Sequence, residues 1–137
     1  MRFSTIFAGV AAAIALASPT MAQSAGDAAA GKKVFAKCQA CHAVGPGAKN
    51  KIGPQLNGVI GRAVASDASY KYSPDMTAHV AAVPVWDEAA MTAWLANPKA
   101  VVAKTKMAFA GLKKPEEIAN VIAYLKTFDA TGAAVAN

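Results

Sequence analysis

Two cysteines three residues apart, followed at once by a histidine, make up the stretch Cys38-Gln39-Ala40-Cys41-His42. This spacing is that of covalent c-type haem attachment. On one helical turn the two thiols reach the two vinyl groups of a haem and form thioethers, and the imidazole next in line turns its ring under the iron as proximal ligand. The chain has 2 cysteines, so the motif takes both. The other chemistries of a Cys-x-x-Cys pair fit less well. A thioredoxin-like dithiol sits at the head of a helix within a βαβ pattern, and no strand-like run precedes Cys38. A structural zinc site needs a full tetrahedral ligand set, whereas the one further histidine is His79. A disulfide between residues so close in sequence closes too small a loop to stabilise much. The motif therefore implies one haem c, carried by Cys38 and Cys41 with His42 on the iron.

The N-terminus bears on the compartment. Met1-Arg2-Phe3 carries a positive charge, Ile6 to Ala17 is apolar, and Ser18-Pro19-Thr20-Met21-Ala22 supplies a helix breaker and small residues. That order predicts a secretory signal peptide over residues 1–22, cleavage after about Ala22, and a mature domain over 23–137 beginning at Gln23. The apolar run is well short of the roughly twenty residues a membrane-spanning helix needs, so an uncleaved anchor is the lesser alternative. Export suits the cysteines, because haem ligation to thiols is completed on the outer side of a bacterial inner membrane; the expected compartment is the periplasm. The precursor has 14 Lys+Arg against 8 Asp+Glu, and loss of Arg2 leaves 13 against 8, a net charge of +5. Nucleic-acid binding would need an aromatic and basic platform, which the chain lacks. A domain this small is near the size at which a polypeptide core alone is marginal, so a large apolar macrocycle at its centre would be structural as well as functional.

The elements that must position the motif are short helices separated by long loops. Asp27 caps a predicted helix to about Cys38, with Ala28, Gly31, Val34 or Phe35, and Cys38 close to one stripe. From Ala43 to about Ser69, Gly45-Pro46-Gly47, Gly53-Pro54, Gly58 and Gly61 break every helical or strand period. Ser73-Pro74-Asp75 reads as an N-cap with proline at the first helical position, opening a short helix to about Ala78. Asp87 caps a longer one with Met91, Trp94 and Leu95 on one face, stopped by Asn97-Pro98. Pro115 opens the last helix, Glu116 and Glu117 complement its dipole, and Ile118, Val121, Ile122, Leu125 and Phe128 repeat at helical spacing until Gly132. With no strand pattern of useful length, the expected fold class is all-α.

With these segments in this order, the sequence resembles the class I cytochromes c, and within them the bacterial cytochrome c2 group. The resemblance runs from Gly31 to about Phe128. It is carried by Gly31-Lys32-Lys33-Val34-Phe35, Gly53-Pro54-Gln55-Leu56-Asn57-Gly58 with Gly61-Arg62, Trp94-Leu95-Ala96-Asn97-Pro98, Thr105-Lys106-Met107-Ala108-Phe109-Ala110-Gly111 and Ile122-Ala123-Tyr124-Leu125-Lys126. It implies a small single-domain fold of short helices and long loops wrapped around one covalent haem.

The resemblance also implies site residues. Among 5 methionines, Met107 lies in the segment that brings a thioether to the iron in this family, giving His/Met axial ligation, with Met76 and Met91 as core or loop residues. A soft thioether favours Fe(II) and, with haem burial, raises the potential. Pro54 matches the carbonyl that orients the proximal histidine. Arg62, Tyr72 and Trp86 match positions that hydrogen-bond the haem propionates, easing burial of two carboxylates, and Thr105 matches a further propionate contact. Gly31, Phe35 and Tyr124 match the crossing of first and last helices. Two positions depart from the family: Trp94 stands where tyrosine is common beside the methionine ligand, and Met76 where asparagine is common in the crevice. An indole donates one hydrogen bond and accepts none, which bears on the water network around the ligand sulfur. His79, in a stretch from Thr77 to Val85 that looks longer than in short family members, is read as an exposed loop residue.

A six-coordinate iron is closed to substrate, so the expected role is a non-enzymatic monomer, peripheral to the membrane at most. It would shuttle single electrons from a quinol–cytochrome c reductase to a terminal oxidase or photosynthetic reaction centre. The alternative is a haem enzyme or gas-binding protein such as a peroxidase, disfavoured by the single haem motif and the absence of a distal acid/base pair. Lys37, Lys49, Lys51, Lys104, Lys106, Lys113 and Lys114 fall near the haem motif and the methionine segment in sequence, whereas Asp67, Asp75, Asp87, Glu88, Glu116, Glu117 and Asp129 fall elsewhere. A basic front for acidic surfaces of redox partners is the expectation.

Overall fold

The first and last helices cross at a point where no side chain would fit between them. A Cβ built on Gly31 would stand 1.8 Å from the carbonyl oxygen of Asn120, so only glycine permits this approach. The computed structural model describes residues 25–136. In it α1 spans Ala28–Phe35 and α5 spans Pro115–Leu125. The crossing is fastened by the Asp27 N–H, which donates to Asn120 Oδ1 at 2.7 Å, and by the rings of Phe35 and Tyr124, 5.4 Å apart. Ile118, Val121, Ile122 and Leu125 form the buried face of α5, and Val34 and Phe35 that of α1. Each such side chain fully buried contributes about 1.5–3 kcal/mol.

Among the described residues, three further helices complete the shell. α2 is Pro74–His79, where Ser73 Oγ accepts from the Met76 N–H at 3.1 Å. α3 is Glu88–Ala96, where Asp87 Oδ1 accepts from the Ala90 N–H at 2.7 Å and Met91, Trp94 and Leu95 are buried. α4 is Pro98–Val101. Among the described residues the extended contacts are isolated bridges, Ala63 with Val85 and Phe128 with Ala134. The fold is thus all-α, a small helical shell with long loops. Among the described residues no helix is long and apolar enough to cross a membrane. The signal peptide expected over 1–22 lies outside the described residues.

The departures from expectation have local causes. α1 stops at Phe35, because the Lys37 and Cys38 N–H groups bond to Val34 and Phe35 in tighter three-residue turns that lead into the cysteine motif. Pro98 ends α3 but opens α4, its fixed φ suiting a first helical position, with Asn97 Oδ1 accepting from Ala100 at 3.2 Å. α5 ends at Leu125 and does not run to Gly132. Beyond it the Asp129 carboxylate gathers the N–H groups of Thr131 and Ala133 at 2.8 and 3.0 Å and folds the chain back, so Phe128 pairs with Ala134. His79 is the last residue of α2, not a loop residue, and it is only partly exposed, with its Nε2 buried.

Candidate haem-binding site

The cysteine motif forms a single turn directly after α1. The His42 N–H donates to Cys38 O at 2.9 Å and the Cys41 N–H to the same oxygen at 3.1 Å. This closure brings Cys38, Cys41 and His42 to the wall of one cleft. His42 Nδ1 lies 2.7 Å from the carbonyl oxygen of Pro54. A carbonyl only accepts, so Nδ1 carries the proton and Nε2 keeps its lone pair. Burial pushes the His42 pKa below its ordinary value; the bond to Pro54 opposes the shift, and Lys51 and Arg62 reinforce it. The ring is therefore held neutral, the form that ligates a metal. Burial pushes the Cys38 thiol up, against the lowering effect of Lys37. Gly53 completes the seat, for a Cβ there would meet His42 Cε1. Its own N–H donates to Cys41 O at 2.8 Å and locks the loop onto the motif.

Met107, 65 residues further along the chain than His42, lines the same cleft. Its loop is shaped by Thr105, whose Oγ1 accepts from the Met107 N–H at 3.1 Å, and by the Leu112 N–H donating to Leu95 O at 2.8 Å. Pro54, Arg62, Tyr72, Trp86 and Thr105 also line it, and the rest of the wall is largely apolar, from Phe35, Leu56, Val59, Met91 and Leu95. One orphaned group tests whether this cleft suits haem c. Arg62 donates from its two terminal nitrogens to Asn57 O and Gln55 O, each at 3.1 Å, yet its Nε is buried without a partner. A buried cationic donor without an acceptor is costly, and a propionate carboxylate is an acceptor of the right charge. Tyr72 is half-buried; its oxygen accepts from the Asp67 N–H at 3.3 Å, and burial raises its pKa, so its proton remains available to donate. Two thiols, a neutral imidazole, a thioether, an apolar wall and an unpaired guanidinium nitrogen fit the group.

The cleft also holds residues that sequence reasoning assigned elsewhere or passed over. Met91 and Leu95, read as part of one face of α3, line it beside Trp94, which the resemblance had already placed next to the methionine ligand and which packs on Trp86 with ring centres 5.5 Å apart. Met76 lines it too. Tyr70 was missed: it stacks edge-on against Tyr72 at 4.9 Å and donates its hydroxyl to Ile52 O at 2.8 Å. The alternation Tyr70-Lys71-Tyr72 was the available signal, since residues two apart in extended chain share a side.

The lysines are less uniform than their sequence positions suggested. Lys37 and Lys106 line the cleft; Lys51 Nζ donates to Gln39 O, Lys106 Nζ to Lys71 O at 2.9 Å and Lys113 Nζ to Ala110 O at 2.9 Å. Lys104 and Lys114 are exposed, while Lys49 edges a separate polar hollow with Asn50, Asp67 and Ser69. The expected segregation of acids fails at two places. The crossing of α5 over α1 brings Glu117 to 3.1 Å from Lys37, and Asp67 shares the hollow with Lys49.

Comparison with known proteins agrees with this geometry. The Cytochrome c family model matches residues 28–129. The chain is 52% identical over 104 residues to a cytochrome c2 of Afifella marina, covering 76% of this chain and 84% of that protein. It is 50% identical over 104 residues to a cytochrome c-550 of Ancylobacter novellus, covering 76% and 97%. Among solved structures, cytochrome c2 from Rhodospirillum centenum superposes with a TM-score of 0.71 at 39% identity, covering 76% of this chain and 99% of that one. Cytochrome cH from Methylobacterium extorquens gives 0.67 at 42% identity, covering 74% and 99%.

Proposed function

Because this chain belongs to the cytochrome c family, close to its cytochrome c2 members, we propose that it is a monohaem electron carrier of the periplasm, exported by residues 1–22 and monomeric when mature. The observation that carries the reading is the convergence of Cys38, Cys41, His42 and Met107 on one largely apolar cleft. Bound haem c supplies a one-electron Fe(III)/Fe(II) couple. Cys38 and Cys41 would hold it covalently, and His42 Nε2 and Met107 Sδ would ligate its iron. The Pro54 carbonyl fixes the plane and tautomer of His42. Arg62 Nε, the Tyr72 hydroxyl, Trp86 and Thr105 would hold the propionates. Trp94, Met91, Met76 and Leu56 exclude water, so little solvent reorganises when the charge changes, and a dry site with a thioether favours the reduced state.

With His42 and Met107 both ligating the iron, no coordination site would remain for substrate, which separates the carrier from the peroxidase or gas-binding alternative. Its partners are membrane or periplasmic redox proteins with acidic surfaces: a quinol–cytochrome c reductase as donor and an oxidase or reaction centre as acceptor. Carbon monoxide tests the reading. The reduced holoprotein at neutral pH keeps its spectrum under the gas if Met107 closes the site; rapid formation of a carbonyl adduct would replace the carrier with a ligand-binding protein.

A further inference from the structure

The backbone strip Ile52-Gly53-Pro54 is what the His42 ring rests on. Pro54 O accepts from Nδ1 at 2.7 Å, and Gly53 lies against the ring itself. That carbonyl orients the ring only while the strip keeps its place, so the bonds that fix the strip also fix the imidazole. On one side the strip is tied to the cysteine motif, where the Gly53 N–H donates to Cys41 O at 2.8 Å. Just beyond it, the Leu56 N–H donates to Ala43 O at 2.9 Å. Both partners are chain neighbours of His42 and move with it. Among the described residues, the one hydrogen bond to the strip from a different part of the chain comes from the Tyr70 hydroxyl, which donates to Ile52 O at 2.8 Å across 18 residues. The Ile52 side chain is 75% exposed, so side-chain packing holds this end of the strip weakly and the backbone bond carries the weight.

Tyr70 is itself braced. Its ring meets Tyr72 edge-on with centres 4.9 Å apart, and the Tyr72 oxygen accepts from the Asp67 N–H at 3.3 Å. Both tyrosines line the cleft. One short segment thus sends Tyr72 to the wall read as holding the propionates and Tyr70 to the loop that backs the histidine.

We infer that Tyr70 is a positioning residue for His42: through Ile52 O, its hydroxyl keeps the Pro54 carbonyl in place against Nδ1. The inference rests on the carrier reading, in which His42 ligates the haem iron, and adds to it a residue that acts through the backbone of another loop. A hydrogen bond from Nδ1–H to a carbonyl makes the imidazole a stronger donor at Nε2. A stronger donor favours Fe(III), so a slackened strip shifts the potential upward.

The test compares the holoprotein with Tyr70→Phe, which keeps the aromatic ring and removes the hydroxyl. Two quantities are read: solvent exchange of the His42 Nδ1–H in the oxidised protein, by NMR of the iron-shifted ring signals, and the reduction potential by spectroscopic titration. Exchange should accelerate roughly three- to tenfold, the factor that one net hydrogen bond is worth, and the potential should rise. Asp129→Ala, which loosens the C-terminal turn by removing its bonds to Thr131 and Ala133, should leave both at wild-type values. If either quantity in Tyr70→Phe stays at its wild-type value, or the potential falls, the inference fails while the carrier reading stands. If Asp129→Ala moves both as far, the effect is one of general stability and Tyr70 positions nothing. If oxidised wild type shows no iron-shifted His42 signal, His42 does not ligate the iron, and the carrier reading fails and takes the inference with it.

Discussion

Gly53 lies flat against the ring of His42: a Cβ on Gly53 would stand 2.4 Å from Cε1, 2.8 Å from Nδ1 and 2.9 Å from Nε2. The imidazole is held between this bare backbone and the Pro54 carbonyl at 2.7 Å, so its freedom to retreat is small. Gly53→Ala should therefore tilt the ring or open the loop, at a cost of about 1–3 kcal/mol. Guanidinium unfolding of the holoprotein measures the loss, and resonance Raman of the iron–histidine geometry reports the tilt. A variant with wild-type stability and spectrum would mean the ring is not confined there.

Asp129 governs the C-terminal turn. Hydrogen bonds from the Thr131 hydroxyl and from the Thr131, Ala133 and Gly132 backbone hold its carboxyl below the usual carboxylate range. A depressed native pKa means the stabilisation is present above the unfolded value and is lost as pH falls through the native one. Amide exchange at Thr131 and Ala133, corrected for its intrinsic pH dependence, should be slow at neutral pH and accelerate in acid. Asp129→Ala should exchange fast at both. Equal protection of the two amides in acid and at neutral pH would show that the carboxylate does not hold the turn.

Much of this architecture was legible because it rests on short-range chemistry. Asp27, Ser73 and Asp87 each cap the helix their side chains suggested, and the apolar stripe of α5 is the buried one as far as Leu125. The stripe misled at Phe128, where side-chain hydrogen bonding by Asp129 outcompetes helix continuation although the spacing persists. Pro98 misled because one residue both stops a helix and starts the next. In the site, Cys38, Cys41 and His42 announce themselves locally. Met107 was legible only through family resemblance, since nothing in a methionine's neighbours says that its loop returns to a cleft. The tie of the Tyr70 hydroxyl to Ile52 O was not legible, because it joins residues 18 apart across a loop. The pairing of Lys37 with Glu117, 80 residues apart, depends in the same way on the helix crossing.

That pairing shapes the expected behaviour of the lysines. Lys37 and Lys126 each meet a glutamate, Glu117 and Glu88, whereas Lys104 is exposed in the turn before the Met107 loop. The rate of electron transfer to the native acceptor should fall as salt rises. At low ionic strength Lys37→Glu and Lys104→Glu should slow it roughly three- to tenfold, more than Lys126→Glu does. Stopped-flow kinetics across ionic strength checks this. Equal losses for the three variants, or a rate indifferent to salt, would leave docking to apolar contact alone.

The central claim, a covalent haem closed by His42 and Met107, is tested most directly by a spectroscopic redox titration of wild type beside Met107→Ala. Wild type should give a single reversible one-electron wave with a weak far-red sulfur-to-Fe(III) band that disappears on reduction. Met107→Ala should keep its haem through acidified organic solvent, lose the band, and fall in potential by on the order of 100 mV or more, within the roughly 0.8 V that axial ligands command. An unchanged band and potential in the variant would contradict the account and assign the sulfur ligand to another methionine.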